Sequence, residues 1–136
     1  MTRYLLDTNA LADAIFRRRG VHVRAEEARL RGARIGTCSP VVAELLGGIE
    51  YSSTRDSNMV IANRRLASIR IWPFELENAR EYARRYAILR KTGITVGHID
   101  LMVAATARLL GNCTVVSTDS DLTRIQGLNV ENWTTE

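Results

Sequence analysis

Five carboxylates in a sequence of 136 residues stand where their neighbours call for burial or for the end of a strand. Asp7 closes the apolar run "YLL"; Asp119 follows "VVST", with Asp121 two residues beyond it. Glu44 interrupts the apolar stretch "PVVAELL", and Asp100 opens the apolar stretch "HIDLMVAATA". A buried, unpartnered carboxylate is costly, so each of these acids requires a reason. Local reasons exist: Asp7 and Asp119 could cap the helices that follow them, Asp100 could favour a helix N-terminus through the macrodipole, and Glu44 could face water on an amphipathic helix. If the acids meet, however, they cannot all stay ionised at neutral pH without counter-charge, and a bound divalent cation supplies it.

The elements that carry these acids decide whether they meet. Short apolar runs alternate with longer helical periodicities, an order that predicts an α/β/α sandwich around a central, mainly parallel sheet, in one domain spanning 1–136. Strands are expected at "RYLL" (3–6), "ARIGTCS" (33–39), "RIWPF" (70–74) and "CTVVSTD" (113–119), with "GLNVENW" as a last edge strand. Helices are expected at "ALADAIF", "VRAEEARLR" and "VVAELLGGI", the last starting at Ser39-Pro40 and weakened at Gly47 and Gly48. Further helices are expected around "MVIANRRLASI", along "ELENAREYARRYAILRK" up to Gly93, and at "HIDLMVAATARLLG", which is apolar almost all round and belongs in the core. In an open parallel sheet the C-terminal strand ends and the following helix N-termini share one edge, where ligands bind. Asp7, Glu44, Asp100 and Asp119 all fall on that edge.

An all-oxygen set suits Mg²⁺ or Mn²⁺ better than zinc. His98, the one histidine near the set, lies two residues before Asp100 and does not share its helix face, so it reads as a helix-start or surface residue. Two hard ions in a carboxylate nest can activate water, hold a phosphodiester in line and stabilise the leaving oxygen, with no side-chain nucleophile required. Paired with a basic surface, that is nuclease chemistry.

Composition is consistent with a polyanionic partner. Lys and Arg number 19 against 15 Asp and Glu, a formal charge of +4. Arginines cluster at Arg17, Arg18 and Arg19, at Arg64–Arg65 and at Arg84–Arg85; the first run and Arg64 or Arg65 are candidates for phosphate contact, or else for a subunit contact or a solvated helix face. Cys38 and Cys113 lack paired metal-site spacing and read as buried thiols. With no leader-like segment and no apolar run approaching a membrane span, a cytoplasmic protein is expected.

The segments "LLDTNAL", "SPVVAELLGGI", "GHIDLMVAATARLLG" and "VVSTDSDLTRIQGLNVENW" occur in this order between residues 4 and 133. Jointly they resemble a PIN-domain ribonuclease of the VapC toxin type. The resemblance implies a Mg²⁺- or Mn²⁺-dependent endoribonuclease acting on tRNA or ribosomal RNA loops, a cognate antitoxin that blocks the acidic site, and a homodimer. It places the family's acidic set on Asp7, Glu44, Asp100 and Asp119, with Asp121 as an outer ligand. The fourth segment is tighter than the usual pattern and carries two acids, which leaves open whether Asp119 or Asp121 is nearer the metal. Thr8, Asn9 and Thr118 stand beside ligand positions and could orient a carboxylate; Thr8 and Asn9 equally suit turn chemistry. Two rivals remain. One is an aspartate-nucleophile phosphatase, disfavoured because position 9 is Asn and no lysine follows Lys91. The other is a protein that binds RNA or a partner without cutting.

Overall fold

Adjacent residues of a strand point to opposite faces of its sheet. In β1 (Arg3–Leu6) both Leu5 and Leu6 are fully buried, and in β4 (Cys113–Val116) so are Val115 and Val116, so both faces of the sheet are covered. The computed structural model, which describes residues 1–135, shows how. Between β1 and β4 run α1 (Thr8–Ile15), α2 (Val21–Leu30), β2 (Arg34–Cys38), α3 (Ser39–Tyr51), α4 (Arg55–Leu66), β3 (Arg70–Trp72), α5 (Leu76–Lys91) and α6 (His98–Leu110). After β4 come α7 (Ser120–Thr123) and β5 (Asn129–Glu131).

The five strands form one sheet of order β3-β2-β1-β4-β5, and every pairing is parallel. The connections β1 to β2 to β3 step one way across the sheet and those from β3 through β4 to β5 step the other. Right-handed crossovers then put the two sets of helices on opposite faces. The direction of travel reverses between β1 and β4, which makes the crevice beyond their C-terminal ends the switch point of the fold.

The expected strands and helices are present, with β3 and β4 ending at Trp72 and Val116, short of the expected 74 and 119, with α7 in addition, and with three further differences. Helix α3 does not weaken at Gly47 and Gly48 but runs on to Tyr51. Both glycines face open space, while Leu45 and Ile49 on either side are buried, so core anchoring offsets a cost of about 1 kcal/mol per helical glycine. Helix α4 begins at Arg55, ahead of the apolar segment at Met59, after Thr54, whose hydroxyl accepts from Asn58 at 2.8 Å. Helix α6 is enclosed over Leu101 and Val103–Ala107, but Arg108 and Leu109 near its end reach solvent. Gly93, at φ 76°, ends the α5 segment as its sequence suggests. No helix among the described residues is long and apolar enough to cross a membrane.

Candidate active site

The register of the two central strands builds the site. Leu6 pairs with Val116, so the next residues, Asp7 and Ser117, are neighbours across the ladder. The Asp7 N–H donates to the Val116 carbonyl at 3.1 Å. Ser117 Oγ donates to Asp7 Oδ2, while the Asp7 Oδ1 atom accepts the Ala10 N–H at 2.9 Å and caps α1. Capping and site roles therefore coincide in one residue, and the Asp7 carboxylate, only 4% exposed, is held at both oxygens. The same Ser117 hydroxyl accepts the Asp119 N–H at 2.8 Å, and Asp119 in turn caps α7 by accepting the Asp121 N–H at 2.8 Å.

Around these groups lies a cavity of about 220 Å³ lined by Asp7, Thr8, Asn9, Glu44, Gly97, Ile99, Asp100 and Asp119. Four carboxylates from four different segments share it: the end of β1, the second turn of α3, the first turn of α6 and the turn after β4. No lysine or arginine lines it. The electrostatic consequence is direct. Burial pushes the Asp7 carboxyl above its ordinary value; the Ser117 hydroxyl and Ala10 N–H pull it down, and the charges of Asp119 and Glu44 push it further up. Asp100 is pushed up to about 7 by burial first, then by the hydrogen bond it shares with Asp119 and by the charges of Asp119, Asp7 and Glu44.

These are the properties of a site that lacks positive charge, and the donors are all oxygen, as hard cations prefer. Among the described residues no three Asp, Glu, His or Cys side chains converge closely enough to hold one ion as they stand. Mg²⁺ fits such an open arrangement because it usually keeps several of its waters and takes only one or two carboxylates directly.

Other residues singled out in the sequence fall elsewhere. Asp121 does not line the cavity; its carboxylate lies 3.5 Å from Arg124 on its own helical turn. Thr118 is exposed and also outside the lining, and the hydroxyl that orients the carboxylates belongs to its neighbour Ser117. Just past the end of β4 Ser117 is buried and Thr118 exposed, and only the register reveals that Ser117 is the one that meets Asp7. Thr8 and Asn9 do line the cavity. His98 is exposed and bonds Tyr82, 2.7 Å from its Nδ1, outside the acid set. Arg17, Arg18 and Arg19 follow the C-terminus of α1, a helix whose eight residues carry the chain about 12 Å from Asp7. Arg18 lies 3.6 Å from Asp13, and Arg17 lines a separate groove.

A family profile described as the PIN domain matches residues 4–128. The chain belongs to the PIN-domain family. Among curated relatives, this PIN domain is 29% identical over 133 residues to Ribonuclease VapC2 of Haemophilus influenzae, covering 98% of this chain and 99% of that protein. It is 27% identical over 133 residues to the tRNA(fMet)-specific endonuclease VapC of Shigella flexneri, with the same coverage. Among solved structures it superposes with a TM-score of 0.87 and 27% identity on VapBC2 from Rickettsia felis, bound to a DNA fragment from its promoter, over 97% of this chain and 99% of that one. The resemblance to VapC-type PIN domains thus extends along essentially the whole chain.

Proposed function

We propose that this PIN domain is a Mg²⁺- or Mn²⁺-dependent endoribonuclease, the toxin of a toxin–antitoxin pair, that hydrolyses RNA phosphodiesters to leave a 5′-phosphate and a 3′-hydroxyl. The observation that carries the reading is the gathering of Asp7, Glu44, Asp100 and Asp119 around one cavity with no cationic side chain. Full-length similarity to proteins named ribonuclease and endonuclease supports RNA as the substrate, with a structured RNA such as a tRNA loop as the target class. Similarity to a VapBC complex supports a cognate antitoxin as partner. A groove of about 810 Å³ lined by Val23, Leu30, Ile35 and Ile69 together with Arg17, Arg29 and Arg65 offers that partner a mixed apolar and charged surface and shares no residue with the acidic cavity. Cytoplasmic location and a homodimer belong to the same reading.

Asp7, Asp100 and Asp119 are the residues that would hold the metal, with Glu44 exposed at the rim. When bound, the ion supplies the positive charge these carboxylates lack and polarises the phosphodiester. The protein's own contribution is orientation. Ser117 locks Asp7 and Asp119 in a fixed relation, the Ala10 N–H fixes the second Asp7 oxygen, and the stiff parallel ladder keeps both at the switch-point edge.

The test is cleavage of end-labelled total RNA with Mg²⁺ or Mn²⁺ and with EDTA, comparing wild type with Asp7→Asn and Asp100→Asn. Discrete fragments that require the metal and disappear in both folded variants are expected. Untouched RNA in every lane at saturating metal would leave the acidic edge as a docking site without chemistry.

A further inference from the structure

Helix α5 carries a second constellation that the acidic cavity does not use. Tyr82 and Tyr86, one turn apart, lie with ring centroids 6.2 Å apart and planes 14° from parallel. The ring of His98 continues the row 6.5 Å from that of Tyr82, at 30°. The Tyr82 hydroxyl and His98 Nδ1, 2.7 Å apart, fix the middle ring to the start of α6. Tyr86 is 42% exposed and stands outside the apolar core, so packing does not account for it.

Two further observations bear on what the row could bind. Gly97 and Ile99, on either side of His98, line the acidic cavity, so the aromatic row begins where the cavity wall ends. The row is also cationic. Arg80 pairs with Glu77, and Arg84 and Arg85 pair with Glu81, but Arg90 and Lys91 form no ion pair among the described residues. Arg90 stands over the Tyr86 ring, 5.7 Å from its centroid. Oriented aromatic faces interleaved with unpaired cations match an unpaired nucleotide, whose base stacks while its phosphate meets the guanidinium.

We propose that Tyr82, Tyr86 and His98 form a stacking platform for an unpaired RNA base flanking the phosphodiester held at the acidic cavity, with Arg90 contacting that nucleotide's phosphate. The proposal rests on the ribonuclease reading above and adds where the substrate is gripped. It makes Tyr86 a substrate-contacting residue and Tyr82 a positioning residue that holds the row in place. It also predicts a preference for single-stranded segments, because a paired base presents no free face.

The experiment separates binding from cutting. Binding of a fluorescein-labelled single-stranded oligouridylate is measured by anisotropy in an Asp7→Asn background, with and without Tyr86→Ala or Tyr86→Phe, and cleavage of total tRNA is followed with Asp7 intact. Loss of one stacked base predicts that Tyr86→Ala weakens binding about tenfold and raises KM to match with kcat nearly unchanged, whereas Tyr86→Phe stays within about twofold. Binding to a double-stranded RNA is expected to ignore both substitutions. Equal affinity of Tyr86→Ala and its parent overturns the platform. So does a fall in kcat at constant KM, or a change in sedimentation with RNA affinity unchanged, which would make the row a subunit contact. Tyr86-dependent binding by a wild type that cuts nothing upholds the platform and overturns the ribonuclease reading alone.

Discussion

Two of the buried carboxylates of this PIN domain lie at nearly the same depth, Asp7 at 4% exposure and Glu81 at 7%, and they live in opposite environments. Asp7 has three other acids around its cavity and no cation. Glu81 has three arginines, Arg85 at 2.8 Å, Arg84 at 3.0 Å and Arg108 at 3.3 Å, the last reaching across from α6. Burial pushes both acids up. At Asp7 that push prevails, whereas at Glu81 hydrogen bonds from Arg85 and Arg84 outweigh it and hold the carboxyl below its ordinary value. Burial by itself therefore does not mark a functional acid. What sets Asp7 apart is burial left uncompensated, which on the reading proposed above a bound cation would relieve.

Substitutions sharpen the contrast, beginning with the acid site. Asp7→Asn keeps a helix-capping side chain but loses the charge, and RNA cleavage is expected to fall on the order of 10²–10³-fold with the thermal unfolding midpoint little changed. Ser117→Ala removes the hydroxyl shared by Asp7 and Asp119, and should cost about 10–100-fold in activity or metal affinity. Isothermal titration with Mn²⁺ beside the cleavage assay would tell these apart. Glu81→Gln should do the reverse of Asp7→Asn: activity per folded molecule is retained, while urea unfolding shows a loss of about 2 kcal/mol, below the usual range for broken buried pairs because Arg84 and Arg108 are half exposed. Cleavage lost in Glu81→Gln at full folding would break the comparison.

The smallest effect is the most diagnostic, since it has opposite signs at Asp100, a second acid of the cavity, and at Glu81. Asp100, raised to about 7 by burial and by Asp119, binds its proton more tightly folded than unfolded. That stability is complete below about pH 4 and is lost as pH rises through 7. Without metal, Asp100→Asn should therefore be more stable than wild type at pH 8, by about 1 kcal/mol once solvent screening is allowed for, and the gap should close towards pH 4. Glu81, lowered by its arginines, contributes stability that is present above its unfolded value of 4.5 and is lost as pH falls through its folded one. The wild-type advantage over Glu81→Gln should accordingly vanish in acid. Denaturation curves at three pH values test both slopes.

Legibility in the sequence follows the same physics. The strands at 3–6 and 113–116 were readable because their side chains are apolar on both faces, and the four cavity acids because each violates an otherwise apolar pattern. Ser117 was not readable. Its importance comes from the Leu6–Val116 register, a tertiary quantity that "VVSTD" does not encode locally, and Thr118 beside it offers the same chemistry on the wrong side. Asp121 likewise looks equal to Asp119 on paper, and only the turn of α7 sends it towards Arg124. Glu81 attracted no notice because on an amphipathic helix with arginines three and four residues on it reads as a surface ion pair; Arg108, the partner that ties it to α6, comes from another segment.

The pairing of β1 with β4 carries a consequence for the life of the chain on the ribosome. The hydrogen bond from Ser117 to Asp7 spans 110 residues, and Asp100 and Asp119 also follow Asp7 by more than ninety residues. A nascent chain that has exposed its first hundred residues holds β1 paired with β2 on one side only, and it lacks β4, Ser117 and Asp119, so three of the four acids stand in an unformed pocket. An enzyme that would attack RNA therefore stays without its assembled site beside the most RNA-rich machine in the cell until β4 and the turn after it have emerged. That delay gives an inhibitor already present the whole of synthesis in which to meet the emerging surface.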